Sequence, residues 1–210
     1  EDLWEKVRSA HVNILSERRV GKTWFLQLAC AKTPQWAKTL FVDAEATHSA
    51  NGFVLELNKK LHERGLLSND KLQRAADRSR RASQQFQKTQ SGYIQVPEID
   101  SWGSLLKDTC SDFVESANGD KAVLMIDELP LLVDNIYKKD GPQVAAEFLD
   151  NLRSLRQAMP SLRMIFCGSL GMHIVLRNLA NAGYRTPSIN DMHTFDVPPL
   201  SEEHAVYLAG

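Results

Sequence analysis

The sequence VNILSERRVGKTWFLQL, from Val12 to Leu28, joins an apolar run to an apolar helical pattern through a short polar turn. The turn covers Ser16 to Val20 and is followed directly by Gly21, Lys22 and Thr23. A strand, a tight loop, Gly-Lys-Thr and a helix, in that order, are the layout of a phosphate-binding P-loop. The stretch therefore predicts a nucleotide site at the first strand–helix junction of an α/β fold.

The backbone of such a loop provides the physical reason for phosphate binding. Its N–H groups and the positive end of the following helix converge on one concavity, which suits a polyphosphate. Lys22 adds a mobile positive charge for the β- and γ-phosphates, and the Thr23 hydroxyl is placed to ligate Mg²⁺. The candidate nucleotide-binding residues are Ser16, Arg18, Arg19, Val20, Gly21, Lys22, Thr23 and Trp24, of which Arg18 and Arg19 either hold phosphate or face solvent.

The loop departs from the P-loop pattern at Ser16, where the pattern has glycine. That glycine normally serves the turn out of the strand, where a side chain is awkward. The alternative interpretation of the whole stretch is a strand–turn–helix with an exposed lysine.

The composition is ordinary for a soluble globular domain, with 43% hydrophobic and 24% charged residues. The 210 residues are enough for one α/β domain with a full core. A net charge of −1 gives no attraction of the whole domain to nucleic acid or anionic lipid. No apolar run approaches the roughly 20 residues that a membrane span needs. The chain begins with Glu1 rather than Met, so we expect it to be a piece of a longer protein.

The cysteines and histidines show no metal-binding pattern. Cys30, Cys110 and Cys167 are isolated in the sequence and lack CxxC spacing, which argues against zinc and favours a reducing compartment such as the cytoplasm. The six histidines do not cluster either.

Short apolar runs alternate with helical patterns along the chain. Stretches of this kind that are separated by helices need crossover connections, which give a parallel sheet. The expected fold class is therefore α/β, a three-layer P-loop NTPase core with a central parallel five-stranded sheet flanked by helices. The predicted strands are His11 to Leu15, Thr39 to Asp43, Ala122 to Ile126, Leu162 to Cys167 and Met192 to Val197, and helical patterns cover Leu3 to Ser9, Thr23 to Ala31, Phe53 to Leu61, Trp102 to Phe113, Val144 to Leu155 and Met172 to Ala180.

The segment at about 66–95 interrupts this alternation, because it is polar and rich in lysine and arginine. Its thin apolar face predicts a helical insert. A basic arm of this kind either contacts nucleic acid or a neighbouring subunit, or is a solvated helix, and the lack of interleaved aromatic residues favours the solvated helix.

The strand Ala122 to Ile126 runs directly into Asp127 and Glu128. A buried strand of this kind delivers its carboxylates to the edge of the sheet where ligands bind in open α/β folds. We expect Asp127 to hold Mg²⁺ and Glu128 to orient and deprotonate the attacking water, since phosphoryl transfer depends on positioning and charge neutralisation. The alternative is an acidic strand end without a metal.

Two further candidates follow the fourth strand. Ser169 is placed to bond the γ-phosphate or the catalytic water if that strand lies between the other two, or else to cap the next helix. Arg185 is the candidate for an arginine offered to a neighbour's γ-phosphate, with Arg177 as its competitor and surface salt bridges as the alternative. Asp43 and Glu45 close the second strand and are candidates to line the same cleft.

The order of the motifs SERRVGKT, LMIDELPLL, FCGSLGM and GYRTPSINDMHTFDVPPLSEEHA resembles the archaeal-type ATPases of the AAA+/STAND branch of P-loop proteins. The resemblance covers about residues 8 to 210 apart from the insert. It implies ATP and Mg²⁺ as ligands, with Lys22 and Thr23 as Walker A residues and Asp127 and Glu128 as the Walker B pair. It further implies that Ser169 is the sensor-1 residue and Arg185 the arginine that acts in trans.

The resemblance also implies a domain plan and a function. Residues 1–200 form the ATPase core and 201–210 begin a truncated helical lid. The expected function is that of a Mg-dependent ATPase that drives or gates a partner protein or a nucleic-acid process through oligomer contacts, in the cytoplasm and away from membranes. The alternatives are a nucleotide-gated regulatory or scaffold module with little turnover, and a small-molecule kinase, which Asp127-Glu128 disfavours because the pair is suited to activating water.

Overall fold

The computed structural model describes residues 2–15, 20–66 and 102–197, and five parallel strands form its single sheet in the order β2-β3-β4-β1-β5. The predicted fold class, an α/β core with a five-stranded parallel sheet, is confirmed. The strands are β1 (His11–Leu15), β2 (Ala37–Asp43), β3 (Lys121–Asp127), β4 (Leu162–Phe166) and β5 (Met192–Asp196).

Helices cover both faces of this sheet, so the described part of the chain has three layers. Helices α1 and α2 pack on one face, and the remaining five pack on the other. The helices are α1 (Leu3–Ser9), α2 (Lys22–Ala31), α3 (Ala50–Glu63), α4 (Trp102–Ser116), α5 (Leu129–Asp140), α6 (Pro142–Ala158) and α7 (Met172–Asn181).

Strand β3 shows why the strands of this sheet are continuous apolar runs and not alternations of apolar and polar residues. Its residues point alternately into two cores, and both cores are covered by helices. Val123 and Met125 pack on the face of α1 and α2, whereas Leu124 and Ile126 pack on the opposite face. Because neither face of β3 meets water, every one of these four positions is apolar and 0% exposed.

The strand order puts β4 between β1 and β3. All the pairings are parallel, so the carboxyl ends of the five strands lie at one edge of the sheet. The register fixes the positions at that edge: Asp43 is paired with Asp127, Ile126 with Phe166, and Leu15 with Asp196. The ends of β1, β3 and β4 therefore lie at this same edge.

The structure differs from the sequence-based expectation between β3 and β4. The periodicity predicts one helix there, over Val144 to Leu155, whereas α5 and α6 both occupy this connection. Gly141 separates them with a positive φ of 94°, and Pro142 begins α6. Helix α5 buries Leu132, Val133 and Ile136 in the core on its face of the sheet.

Several predictions fall outside the described residues. They are the roles of Ser16, Arg18 and Arg19, the helical insert beyond Leu66, and the start of the lid at 201–210. None of the described helices is both long enough and apolar enough to cross a membrane.

Candidate nucleotide-binding site

The junction between the loop and α2 is built on Gly21. This residue is the N-cap of α2 and has a φ of 80°, a left-handed conformation that glycine adopts without steric cost. No atom of the described residues lies within 4 Å of the position that a Cβ would take, so the positive φ is the observed reason for glycine here. Gly21 turns the chain so that α2 begins at Lys22, with Val20 half-buried just before it.

The first turn of α2 presents side chains of different exposure. Lys22 is only 7% exposed, whereas Thr23 is exposed and Trp24 is 56% exposed. A lysine is almost never this buried unless its charge is compensated. The alternative interpretation of this stretch, a strand–turn–helix with an exposed lysine, therefore does not agree with the burial of Lys22.

Asp127 ends β3 as a buried carboxylate and is 1% exposed. Its Oδ1 accepts a hydrogen bond from the Glu128 N–H at 3.0 Å, whereas its Oδ2 is buried and has no hydrogen-bond partner within residues 2–15, 20–66 and 102–197. An unpaired buried carboxylate oxygen is costly, and a bound cation would remove that cost. Asp127 therefore fits a Mg²⁺ ion, which prefers oxygen ligands.

Cys167, immediately after β4, shows that these charged groups share one environment. Burial raises the pKa of the Cys167 thiol, and the Asp127 and Glu128 carboxylates raise it further. The positive charge of Lys22 acts on the same thiol in the opposite direction and lowers its pKa. The structure thus brings Lys22, Asp127 and Glu128 around one point at the carboxyl edge of the sheet.

Glu128 is held by Ser169 across the gap between β3 and β4. The Ser169 N–H donates to both Glu128 carboxylate oxygens at 3.0 Å, and the Ser169 hydroxyl donates to Oε2 at 2.9 Å. Glu128 itself has a φ of 54°, an uncommon conformation for a residue other than glycine. The N-cap of α7 is Gly171, so the alternative role of Ser169 as the cap of that helix is wrong.

Gly168, after β4, lies in close contact with Pro130, in the first turn of the helix after β3. This contact is not among the predictions from the sequence. A Cβ on Gly168 would lie 2.5 Å from Pro130 Cδ, so only glycine fits beside this proline. The Leu129 N–H also donates to the Cys167 carbonyl oxygen at 3.1 Å. The Glu-Leu-Pro after β3 and the Gly-Ser after β4 are therefore two halves of one packed unit.

Asp43 lies on the neighbouring strand, in register with Asp127. Its Oδ1 accepts a hydrogen bond from the Glu45 N–H at 2.9 Å, and both residues are exposed. Asp43 thus belongs to the same edge as Asp127, whereas Glu45 lies in the turn beyond the strand.

The two candidate arginines lie apart from this cluster. Arg185 is exposed in the connection from α7 to β5, which enters β5 at the amino edge of the sheet. The Thr186 hydroxyl bonds Asp150 on α6, so the backbone that carries Arg185 is fixed. Arg177 is exposed on α7.

The same connection is anchored by a buried ion pair. The Arg156 guanidinium donates to both Asp191 carboxylate oxygens, at 3.0 and 2.8 Å, and also to the Ser188 carbonyl oxygen. Burial opposes ionisation of Asp191, but the hydrogen bonds and charge of Arg156 outweigh it and lower the Asp191 pKa.

Among the described residues, no group of three or more His, Cys, Asp or Glu side chains is placed to hold a metal ion by itself. A magnesium ion is commonly bound by one or two carboxylates together with substrate phosphates. The Asp127 carboxylate, with its buried Oδ2, fits that mode of binding and not a metal cage made by protein alone.

Comparison with solved structures places this geometry among known folds. A Walker-type ATPase of Pyrococcus abyssi matches 98% of this chain with a TM-score of 0.56 and 19% identity. The chain has the fold of an archaeal P-loop ATPase. The resemblance that the motifs indicate is therefore confirmed at the level of the fold.

Two other solved structures share this P-loop ATPase fold. The Aeropyrum pernix ORC2 protein, solved as ADPNP–ADP complexes, matches 96% of the chain with a TM-score of 0.54 and 11% identity. Cdc6p of Pyrobaculum aerophilum matches 98% with a TM-score of 0.53 and 13% identity. The chain spans 53% of the Pyrococcus ATPase and 44% of each of the other two, about half of their length. No protein-family model and no curated protein matches the sequence.

Proposed function

We propose that this chain is the ATP-binding and ATP-hydrolysing core of an AAA+/STAND-like ATPase, which drives or gates a partner through oligomer contacts. The observation that carries the proposal is the buried pair of opposite charges at one edge of the sheet. Lys22 begins α2 after β1, and Asp127 ends β3 with a buried oxygen that has no partner among the described residues. A polyphosphate would bind to the Lys22 ammonium, and its cation would bind to the Asp127 oxygen.

Each residue then has a role that follows from its chemistry. Lys22 binds the β- and γ-phosphates, and Gly21 lets the backbone approach them. Thr23 and Asp127 would hold a Mg²⁺ ion, which would supply positive charge to the phosphates. Trp24 is exposed beside Thr23 in the first turn of α2, so we expect its fluorescence to change when the ligand binds.

Hydrolysis requires a base as well as a binding site. Glu128 orients the attacking water and accepts its proton, and Ser169 positions the Glu128 carboxylate through the bonds described above. Arg185 is exposed, and the Thr186–Asp150 hydrogen bond anchors the backbone beside it, so it is suited to a neighbouring subunit's γ-phosphate. This step requires an oligomer, formed by copies of the chain or with a partner protein.

The binding part of the proposal is tested with Lys22→Ala and a matched control, Lys32→Ala. Lys32 is exposed and caps the other end of the same helix. We expect Lys22→Ala to weaken ADPNP binding in the presence of Mg²⁺ by at least about a hundredfold, because it removes a buried charged contact to phosphate. Calorimetry should show wild-type affinity for Lys32→Ala. Equal affinities for Lys22→Ala and the wild type would refute the site.

A second candidate function is a nucleotide-gated switch with little turnover. One observation favours it, because Ser169 makes three hydrogen-bond contacts with the Glu128 carboxylate and leaves few of its roughly four acceptor positions for an attacking water. In that case ATP would stabilise one conformation for a partner to recognise. Single-turnover assays separate the two functions: the ATPase predicts cleavage of bound ATP that Glu128→Gln abolishes, and the switch predicts no cleavage in either protein.

A further inference from the structure

We propose that Asp43 is a second carboxylate of the magnesium site, holding a water of the hydrated ion while Asp127 holds the ion more directly. The inference rests on the proposed function, because it concerns the same cation. It adds a residue from β2, a strand that contributes nothing to the roles assigned above.

The sheet places Asp43 beside Asp127 and on the same face. The two residues are Cα partners in the parallel register of β2 and β3, and neighbouring strands are about 4.8 Å apart. Side chains alternate along each strand, so Asp43 shares the face of Phe41, and Asp127 shares the face of Met125. Both Phe41 and Met125 belong to the core that packs against α2, the helix that begins at Lys22.

The backbone around Asp43 is fixed. The Ala44 N–H donates to the Asp127 carbonyl oxygen at 3.0 Å, which continues the ladder of β2 and β3 past the ends of the strands. The Asp43 Oδ1 accepts from the Glu45 N–H at 2.9 Å, which orients the carboxylate. Its Oδ2 makes no hydrogen bond with any part of the chain that the structure describes.

Charge provides the reason for a cation at this position. Asp127 has a buried oxygen without a partner, and Asp43 adds a second negative charge one strand away on the same face. Two carboxylates at paired positions of neighbouring strands repel each other, and a cation near both would offset that repulsion. Mg²⁺ keeps several of its waters when bound, so an exposed carboxylate on the neighbouring strand is suited to accept a hydrogen bond from one of these waters.

The test is Asp43→Asn, with Asp196→Asn as the matched control. Asparagine keeps the Oδ1 acceptor for the Glu45 N–H and removes only the charge. Asp196 is also exposed and also ends an edge strand at the carboxyl edge, but it lies on β5, at the other side of the sheet. ADPNP affinity of the full chain is measured by calorimetry over a series of free Mg²⁺ concentrations and in EDTA.

We expect Asp43→Asn to raise the half-saturating Mg²⁺ concentration about tenfold, as loss of an outer ligand to a metal usually does, with unchanged ADPNP affinity in EDTA. Asp196→Asn should match the wild type. A Mg²⁺ dependence of Asp43→Asn within twofold of the wild type would overturn this inference and leave the proposed function standing. A wild-type chain that binds no ADPNP at any Mg²⁺ concentration would overturn both.

Discussion

Gly168 occupies a position with room for a hydrogen atom but not for a methyl group. The Pro130 ring fills the space where a Cβ would lie, and Pro130 belongs to the first turn of α5, directly after Glu128. The geometry of the catalytic candidate therefore depends on a glycine that follows another strand. At the scale of single residues, the presence of glycine at position 168 is explained by its contact with Pro130, and no contact with phosphate is needed to explain it.

This contact predicts the effect of Gly168→Ala. The added methyl group would lie 2.5 Å from Pro130 Cδ, so the proline or the strand end must move, and we expect a loss of about 1–3 kcal/mol in the free energy of unfolding. Urea denaturation measures that loss.

Gly171→Ala is the matched control, since a methyl group there would meet only the exposed, flexible His173 side chain. We expect its unfolding free energy to stay within about 0.5 kcal/mol of the wild type. Equal stability of the two variants would show that Pro130 does not constrain position 168.

At the scale of elements, β1 and β4 are joined at their amino ends by a neutral histidine. The Met164 N–H on β4 donates to His11 Nδ1 at 3.1 Å, so this nitrogen must carry no proton. Burial lowers the pKa of His11 from 6.5 to about 4, and the positive charges of Arg156 and Arg163 contribute to the shift. The pair of strands is thus stabilised by the unprotonated ring.

The shift predicts a loss of stability in acid. Between pH 6.5 and about 4 the unfolded chain binds a proton at His11 that the folded chain does not, so the free energy of unfolding falls as the pH falls through this range. We expect a contribution of about 2 kcal/mol, reduced from the full shift because the ring is partly exposed to solvent.

Urea denaturation of the wild type and His11→Asn between pH 7.5 and 4 isolates this contribution. The Asn Oδ1 can accept from the Met164 N–H but does not titrate, so we expect a shallower pH dependence in the variant. Parallel curves for the two proteins would contradict the assignment.

The elements also show where periodicity succeeds and where it fails. Strand β3 is predicted well because it is buried on both faces and ends in acid, a pattern with few alternatives. Helix α5 is not predicted, although its buried residues Leu129, Leu132, Val133 and Ile136 recur at helical spacing directly after Asp127-Glu128. The break at Gly141-Pro142 is visible in the sequence and could have separated α5 from α6.

At the scale of the whole molecule, the strand order lies beyond what the sequence can predict. The apolar runs identify five strands, but pairing depends on how helices pack on both faces, and no single run contains that information. The position of β4 between β1 and β3 brings Ser169 to Glu128. From the sequence, this strand order is only a condition for Ser169 to reach the γ-phosphate or the catalytic water, and the contact with Glu128 is not predicted. The register that places Asp43 beside Asp127 is likewise a property of the folded sheet.

The central claim is that two strand ends, far apart in the sequence, bind one Mg·ATP. A double-mutant cycle on Thr23→Ala and Asp127→Asn tests it, with ADPNP affinity measured by calorimetry in Mg²⁺ and in EDTA. Asparagine at position 127 keeps the Oδ1 acceptor for the Glu128 N–H.

If both residues hold the same ion, each substitution should remove the gain in ADPNP affinity that Mg²⁺ provides. The double variant should then bind ADPNP only slightly more weakly than the single variant with the lower affinity. All four proteins should bind ADPNP similarly in EDTA. Losses that add up within about 0.5 kcal/mol, or that persist unchanged in EDTA, would contradict a shared ion and with it the proposed site.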